Sequence, residues 1–317
     1  MDNKITRRRL SDFLSYEWII MIIAIVFAIM GLEFIYTVSA TRASVGQQFK
    51  FYFDENLSSN VSDFGNVLEF KVGENGKTFS YDVMEVSSEA LTSSFNVLSA
   101  RLSVQDGDVI FSDTMIKDEE TGESRAKSLV DGFSICSLEK LLTDAKSYLS
   151  DFTENGKLND ELIIAHFNER MKRDNRFRTE KAKETGRALE IERIKKLSEE
   201  VQDFQKIMSL DVDGLFFNYT RYEYSSQNEK DDVYKTLYER EISSGKENLR
   251  YGINLAALSY ETEGKQDVSR FFQNRETNNA ENVVLMVFDF LSYQPDLQFE
   301  TISFINTIFR TCSDFLD

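Results

Sequence analysis

Few side chains in this sequence of 317 residues could act as a nucleophile, a general base or a soft metal ligand. It contains one histidine, His166, and two cysteines, Cys136 and Cys312. Three such residues cannot build a zinc site of four thiolates or a multi-histidine centre. His166 lies between apolar neighbours in a predicted helix, with no G-x-S-x-G turn elsewhere, so a structural role is favoured. The sequence therefore predicts a protein that is not an enzyme, with no catalytic residue, no cofactor and no metal site.

The two cysteines have apolar sequence neighbours, which favours buried free thiols. A disulfide between Cys136 and Cys312 is the alternative, if the domain is exported to an oxidising compartment.

Three tyrosines late in the chain are the candidate ligand-binding residues. Tyr219, Tyr222 and Tyr224 cluster with Arg221 and Glu223. Their rings and hydroxyls could bind a sugar or a peptide in a cleft, because such side chains combine an apolar face with a hydrogen-bonding tip. Half-buried tyrosines of an ordinary strand are the alternative reading.

Basic side chains concentrate in one helical stretch of an acidic chain. Between positions 170 and 187 lie eight basic and three acidic residues, whereas the whole chain carries a formal charge of −17. This charge excludes sequence-independent nucleic-acid binding, which needs many phosphate contacts. Arg173, Arg176 and Lys181 are candidates for binding an acidic partner. A solvated helix face with internal ion pairs is the alternative.

An apolar segment near the start predicts a membrane span. Residues 18–32 carry no charge, and residues 17–38 are long enough for a signal-anchor helix, preceded by four basic residues. We therefore expect a single-pass protein of the cell membrane with a cytoplasmic amino terminus and an extracytoplasmic carboxy-terminal domain. The expected partners are the lipid bilayer, through residues 17–38, and a transporter permease. A cleaved signal peptide and a buried core helix are the alternatives.

Beyond this segment, the pattern predicts alternating strands and helices. Predicted strands lie at 67–72, 79–86, 109–111, 215–224, 251–258 and 283–291, and helices begin at Ser88, Ser137 and Pro295. The aromatic residues at 49–53 are read as part of a polar stalk. Apolar residues at seven-residue intervals between 194 and 208 predict a helix face that packs on its own domain rather than in a coiled coil.

This order of elements resembles the type II periplasmic or extracellular solute-binding proteins. The resemblance lies in the apolar export segment, in GDVIFSD at 107–113, in YGINL at 251–255, and in the terminal buried strand followed by a helix. It implies an α/β fold in which an N-terminal transmembrane helix precedes a bilobed domain with a helix-rich middle. The implied boundaries are a cytoplasmic segment 1–16, the span 17–38, a stalk 39–62, a first α/β lobe from 63–130 with 266–317, and a second lobe 131–265.

The resemblance implies that the protein captures a small solute, such as a sugar or peptide, between two lobes and beside a transporter. The alternative is a scaffold or interaction subunit of a membrane complex that keeps the fold without a ligand.

Overall fold

The computed structural model places most of the chain in defined elements. It describes residues 11, 18–39, 48–69, 85–91, 101, 107–115, 117, 124–132, 134–173, 177–220, 248–258, 265–289 and 300–316. The chain divides into two compact units, Met1–Ala43 and Ser44–Asp317.

The first unit contains helix α1, Trp18–Ser39. Among the residues that the structure describes, no helix is both long and apolar enough to cross a membrane. On this finding, the predicted transmembrane helix over 17–38 and the predicted single-pass location in the cell membrane are wrong.

The second unit is built around one seven-stranded sheet. Six of its strands lie in the order β3–β1–β4–β11–β9–β8, and β5 pairs with the end of β11. The strands of this sheet are β1 (Gln48–Asp54), β3 (Glu85–Leu91), β4 (Val109–Asp113), β5 (Ile135–Cys136), β8 (Phe216–Tyr219), β9 (Leu249–Asn254) and β11 (Val283–Phe288). Two small pairs complete the strands described: β2 (Leu57–Ser59) with β10 (Phe272–Asn274), and β6 (Thr153–Glu154) with β7 (Lys157–Leu158).

The sheet is mixed, and this overturns the predicted bilobed architecture. Strand β1 runs parallel to β3 and β4, whereas β11 runs antiparallel to β4, β5 and β9. Strands β5, β8 and β9 belong to the predicted second lobe, yet they share one sheet with β1, β4 and β11 of the predicted first lobe and its flanks. The described elements therefore form a mixed α/β fold around a single sheet, because backbone hydrogen bonds join the two sets of strands.

Helices cover both faces of this sheet. The helices of the second unit are α2 (Val61–Val67), α3 (Arg125–Asp131), α4 (Leu138–Ser150), α5 (Asp160–Arg170), α6 (Glu180–Met208) and α7 (Glu300–Cys312). Short 3₁₀ turns lie at Met171–Arg173, Ala256–Leu258 and Val268–Phe271. One apolar cluster joins the sheet to α2, α4, α6 and α7, and a smaller cluster joins its other face to α3.

The aromatic residues predicted in a stalk form a central strand instead. Phe49, Phe51 and Phe53 of β1 are buried in the larger apolar cluster, and Tyr52 is buried in the smaller one. Successive side chains of a strand point to opposite faces, so this alternation places β1 between two helical layers.

Two predicted elements near β1 differ from the structure. Residues 67–69 of the predicted strand 67–72 form the end of helix α2 and the turn after it, while 70–72 lie outside the described residues. The first turn of α2 is capped by the Asn60 side chain, which accepts from the Asp63 N–H. The predicted start of a helix at Ser88 is wrong, because Ser88 and the residues to Leu91 lie in β3, which pairs with β1 over seven residues. Hydrogen bonding to a distant strand overrides the local pattern there. Residues 92–100 of that predicted helix lie outside the described residues.

The apolar residues at seven-residue intervals in α6 pack as predicted. Ile194, Leu197, Val201 and Phe204 are buried in the larger apolar cluster, which confirms packing within the domain. Helices α6 and α7 are also joined by polar contacts: the Arg310 guanidinium donates to both carboxylate oxygens of Glu200, each at 3.0 Å.

Candidate functional site

An open cleft lies at one edge of the sheet, where β4 and β9 end and β8 and β11 begin. Its volume is about 310 Å³, and we call it the β8–β9 cleft. The residues that line it are Thr114, Phe216, Phe217, Asn218, Asn254, Glu281, Asn282 and Val284. The volume falls near the lower limit of small-molecule sites, which range from about 300 to 1,000 Å³.

Irregular pairing of β8 with β9 shapes this cleft. Phe217 pairs with Gly252 and Asn218 pairs with Arg250, so Tyr251 of β9 is an extra residue between them. Such a bulge bends the strand locally and changes the direction of nearby side chains. Three successive residues of β8, at 216–218, line the cleft beside this irregularity.

Gly252 brings β9 close to β11 behind the cleft. A Cβ atom at this position would lie 3.0 Å from the Leu285 carbonyl oxygen and 3.0 Å from Cγ of Met286. A side chain would therefore push the two strands apart. The absence of one allows Asn254 to pair with Val284, so both side chains reach the same cleft.

The Asn254 side chain is held by two hydrogen bonds. Its Nδ2 donates to the Glu281 carbonyl oxygen at 3.1 Å, and its Oδ1 accepts from the Ala256 N–H at 3.0 Å. An amide group has two N–H donors and an oxygen with two lone pairs, so capacity for further hydrogen bonds remains.

Three other polar side chains of the cleft are available to a ligand. The side chains of Thr114, Asn218 and Asn282 make no hydrogen bond to any part of the chain that the structure describes. Each can donate and accept. A hydroxyl and two amides around one small opening match the needs of an uncharged, hydrogen-bonding molecule.

The aromatic residues at the cleft are fixed by contacts on the protein side. The Arg250 guanidinium carbon lies 4.6 Å from the Phe216 ring centroid, in cation–π geometry. The Phe217 ring stacks on the Tyr219 ring with centroids 6.1 Å apart and an interplanar angle of 11°. The Tyr219 hydroxyl in turn donates to Asp131 at 2.8 Å. These contacts preorganise the two phenylalanines.

A second polar group lies at the same edge of the sheet but is closed. Asp54, at the end of β1, is fully buried; it accepts from Arg125 at 2.5 Å and from the Ser112 hydroxyl at 2.6 Å. Burial raises the pKa of the Asp54 carboxyl above its ordinary value of 3.8, while Arg125 and Ser112 act in the opposite direction. Both carboxylate oxygens have protein donors, so this network offers a ligand no access.

The predicted ligand-binding tyrosines are placed only in part. Tyr219 lies in β8, one residue beyond the cleft-lining Asn218, and supports Phe217 rather than lining the cleft itself. Tyr222 and Tyr224 lie outside the described residues. A role for these tyrosines in binding stays a prediction.

The predicted partner-binding residues lie before and within α6. Lys181 is exposed in the first turn of α6. Arg173 ends a 3₁₀ turn, and the structure describes its backbone alone, while Arg176 lies outside the described residues. Nearby basic residues pair within the domain: Arg170 with Glu190 at 3.3 Å and Lys183 with Glu180 at 2.7 Å. Binding of an acidic partner here stays a prediction.

Of the remaining reactive residues, the two cysteines lie in the core and His166 is half-buried. Both cysteines are free and buried, as predicted from their apolar neighbours. Burial raises the pKa of the Cys312 thiol to about 12, so it stays protonated at neutral pH. His166 packs edge-on against Phe152, with ring centroids 5.1 Å apart, and near Tyr148.

Sequence reasoning missed the asparagines of the cleft. Asn218, Asn254 and Asn282 are separated by tens of residues and form no motif. The available signal is an asparagine at the end of an apolar strand or directly before one, as at Asn254 and Asn282, because polar strand ends meet at a sheet edge. Knowing which edge required the strand order.

Comparison with known proteins assigns no family to this chain. No family model matches it, and neither the curated proteins nor the solved structures include a significant match.

Proposed function

We propose that this protein binds a small, uncharged, hydrogen-bonding solute, such as a sugar or a short peptide, in the β8–β9 cleft. The observation that carries this proposal is the set of three polar side chains there, Thr114, Asn218 and Asn282, that hydrogen bond to none of the described residues. Surface amides are common, but here they surround one opening beside two fixed aromatic rings.

The lining of the cleft favours an uncharged ligand over an anion. Side-chain amides can donate to and accept from hydroxyl or peptide groups, and an aromatic ring can pack on the apolar face of a sugar. The lining contains no lysine or arginine, whereas it includes Glu281. An anionic ligand would therefore meet a carboxylate without a neighbouring cation in the lining, within a chain of charge −17.

Isothermal titration calorimetry of the full chain with D-glucose, maltose and glycylglycine tests the proposal; we call these compounds the probe series. We expect saturable binding of at least one. Thermal unfolding provides a second measurement, because a ligand at 100 times its Kd stabilises the folded state by about 2.7 kcal/mol. Absence of saturable binding and of any thermal shift across the series would contradict the proposal.

Variants locate the binding site. Asn218→Ala should raise the Kd of the bound probe about tenfold, a loss of about 1.4 kcal/mol, because it removes an amide from the cleft wall. Asn66→Ala is the matched control, since Asn66 is exposed in α2 and remote in the fold from β8. Equal affinities of the two variants would place binding elsewhere.

A further inference from the structure

We propose that Asp113 is a positioning residue for the β8–β9 cleft, which fixes the cleft wall at Thr114 without contacting the solute. This inference rests on the proposed function of the cleft. Asp113 ends β4, its side chain is buried, and the next residue, Thr114, lines the cleft.

The Asp113 carboxylate connects this wall to a distant part of the chain. Its Oδ1 accepts from the Met115 N–H at 2.7 Å, which fixes the backbone on the far side of Thr114. Its Oδ2 accepts from Nδ2 of Asn274 at 2.7 Å, across 161 residues of sequence. One side chain thereby determines both the local turn and its attachment to β10.

Thr114 is also held from the side of β11. Its N–H donates to the Asn282 carbonyl oxygen at 2.9 Å, and Asn282 lines the cleft as well. Hence the backbone segment 113–115 is anchored at three successive residues. A shift of this segment would move the Thr114 hydroxyl relative to the amides at 218 and 282. Small displacements of positioning groups reduce binding even where no contact with the ligand is removed.

The Asn274 amide cannot rotate to adapt to a change at Asp113. Its Oδ1 already accepts from the N–H groups of Glu276 at 2.8 Å and Thr277 at 3.2 Å. With Oδ1 in this position, Nδ2 of Asn274 faces Asp113, and such a network of partners fixes the orientation of an amide. A donor at position 113 would therefore face a donor at position 274.

This arrangement allows a reciprocal exchange as the test. Asp113→Asn keeps an oxygen for the Met115 N–H but sets its NH₂ group against that of Asn274. In the double variant Asp113→Asn/Asn274→Asp, the asparagine introduced at 113 donates to the aspartate introduced at 274. That aspartate retains an oxygen for the N–H groups of Glu276 and Thr277. All of the hydrogen bonds are then restored, and only the bond between positions 113 and 274 has its direction reversed.

Affinity for the members of the probe series that the wild type binds, and hydrogen exchange of the Met115 amide, are measured in the full chain for both variants. We expect Asp113→Asn to raise the Kd about tenfold and to speed exchange at Met115, and we expect the double variant to recover both. Recovery would show that the hydrogen bond between positions 113 and 274, rather than the aspartate itself, determines the affinity, because the added substitution touches no cleft residue.

Three different results would overturn the proposal. If Asp113→Asn binds the probe as tightly as the wild type while Asn218→Ala does not, the cleft binds solute but Asp113 does not position it. If the wild type binds no member of the probe series, the proposed function fails and the positioning role fails with it. Failure of the double variant to recover affinity, although it folds and Met115 is again protected from exchange, would also contradict the proposal.

Discussion

Two groups of polar side chains lie at the same edge of the sheet, and they differ in whether they find hydrogen-bond partners within the protein. Around Asp54, charged and polar side chains satisfy one another in the interior, with Arg125 and Ser112 as donors. In the β8–β9 cleft, Asn218 and Asn282 face an opening without a partner among the described residues. The first group connects elements of the fold, whereas the second leaves hydrogen-bonding capacity for another molecule.

The difference shows why polarity alone does not identify a site. Asp54 has the more unusual electrostatic environment, because burial raises its pKa. A perturbed carboxyl often indicates function, but ion pairs of the core produce the same effect. Asp113 lies between the two groups: its N–H donates to Asp54 at 3.4 Å, and its neighbour Thr114 lines the cleft. The closed network therefore supports the open cleft.

Breaking the closed network should have the largest effect on stability. Arg125→Met leaves the buried Asp54 carboxylate without its cation, and removal of one partner of a buried ion pair costs about 3–5 kcal/mol. Urea denaturation at pH 7 measures the change. Lys146→Met removes an exposed positive charge from α4 as the control and should change the free energy of unfolding by about 0.5 kcal/mol or less.

The Arg125→Met defect should also depend on pH. Without Arg125, the pKa of Asp54 rises further above its ordinary value of 3.8, because burial then acts with less opposition. A carboxyl group whose pKa is raised in the folded state loses stabilisation as the pH increases. The deficit relative to the wild type should thus grow from pH 4 to pH 7. A deficit independent of pH would show that lost packing, rather than the uncompensated charge, is responsible.

The contact between β9 and β11 should show an intermediate effect. Gly252→Ala places a Cβ 3.0 Å from the backbone oxygen of Leu285, and overpacking of this kind costs about 1–3 kcal/mol. Because β9 ends at Asn254, the same change should weaken binding of the probe series. Gly31→Ala is the control, since a Cβ there meets nothing within 4 Å. Unchanged stability of Gly252→Ala would show that the strands separate without cost.

Much of the sheet could be predicted because its strands carry a strong local signal. The apolar run at 283–291 and the short run at 109–111 were predicted as strands, and they form β11 and β4. The strand at 49–53 was missed, because the pattern of alternating aromatic residues followed an apolar segment and was read as a stalk. Its burial depends on β3 and β4 pairing on either side, which a local pattern does not reveal.

The candidate site could be predicted only at its margin. Of the predicted strand 215–224, the structure shows a strand at Phe216–Tyr219, and its last residue, Tyr219, lies next to the cleft. The amides at 218, 254 and 282 come together through two antiparallel pairings, β8 with β9 and β9 with β11. The sequence gives no local sign that these three amides meet, since no spacing rule connects the start of one strand with the end of another.

The open cleft should respond least to substitution, and the comparison is sharpest between two of its own asparagines. Asn254→Ala removes two hydrogen bonds, one to the Glu281 carbonyl before β11 and one from the Ala256 N–H after β9, so it should lower the free energy of unfolding by about 1–2 kcal/mol. Asn218→Ala removes an exposed side chain that contacts no described partner and should change it by about 0.5 kcal/mol or less. Urea denaturation and calorimetric titration of both variants separate the two roles. Substitution of a residue that serves binding should weaken the affinity for the probe without lowering the free energy of unfolding. If Asn218→Ala instead destabilises the fold as much as Asn254→Ala, the amide at 218 has a structural partner and the distinction between the closed and open regions does not hold there.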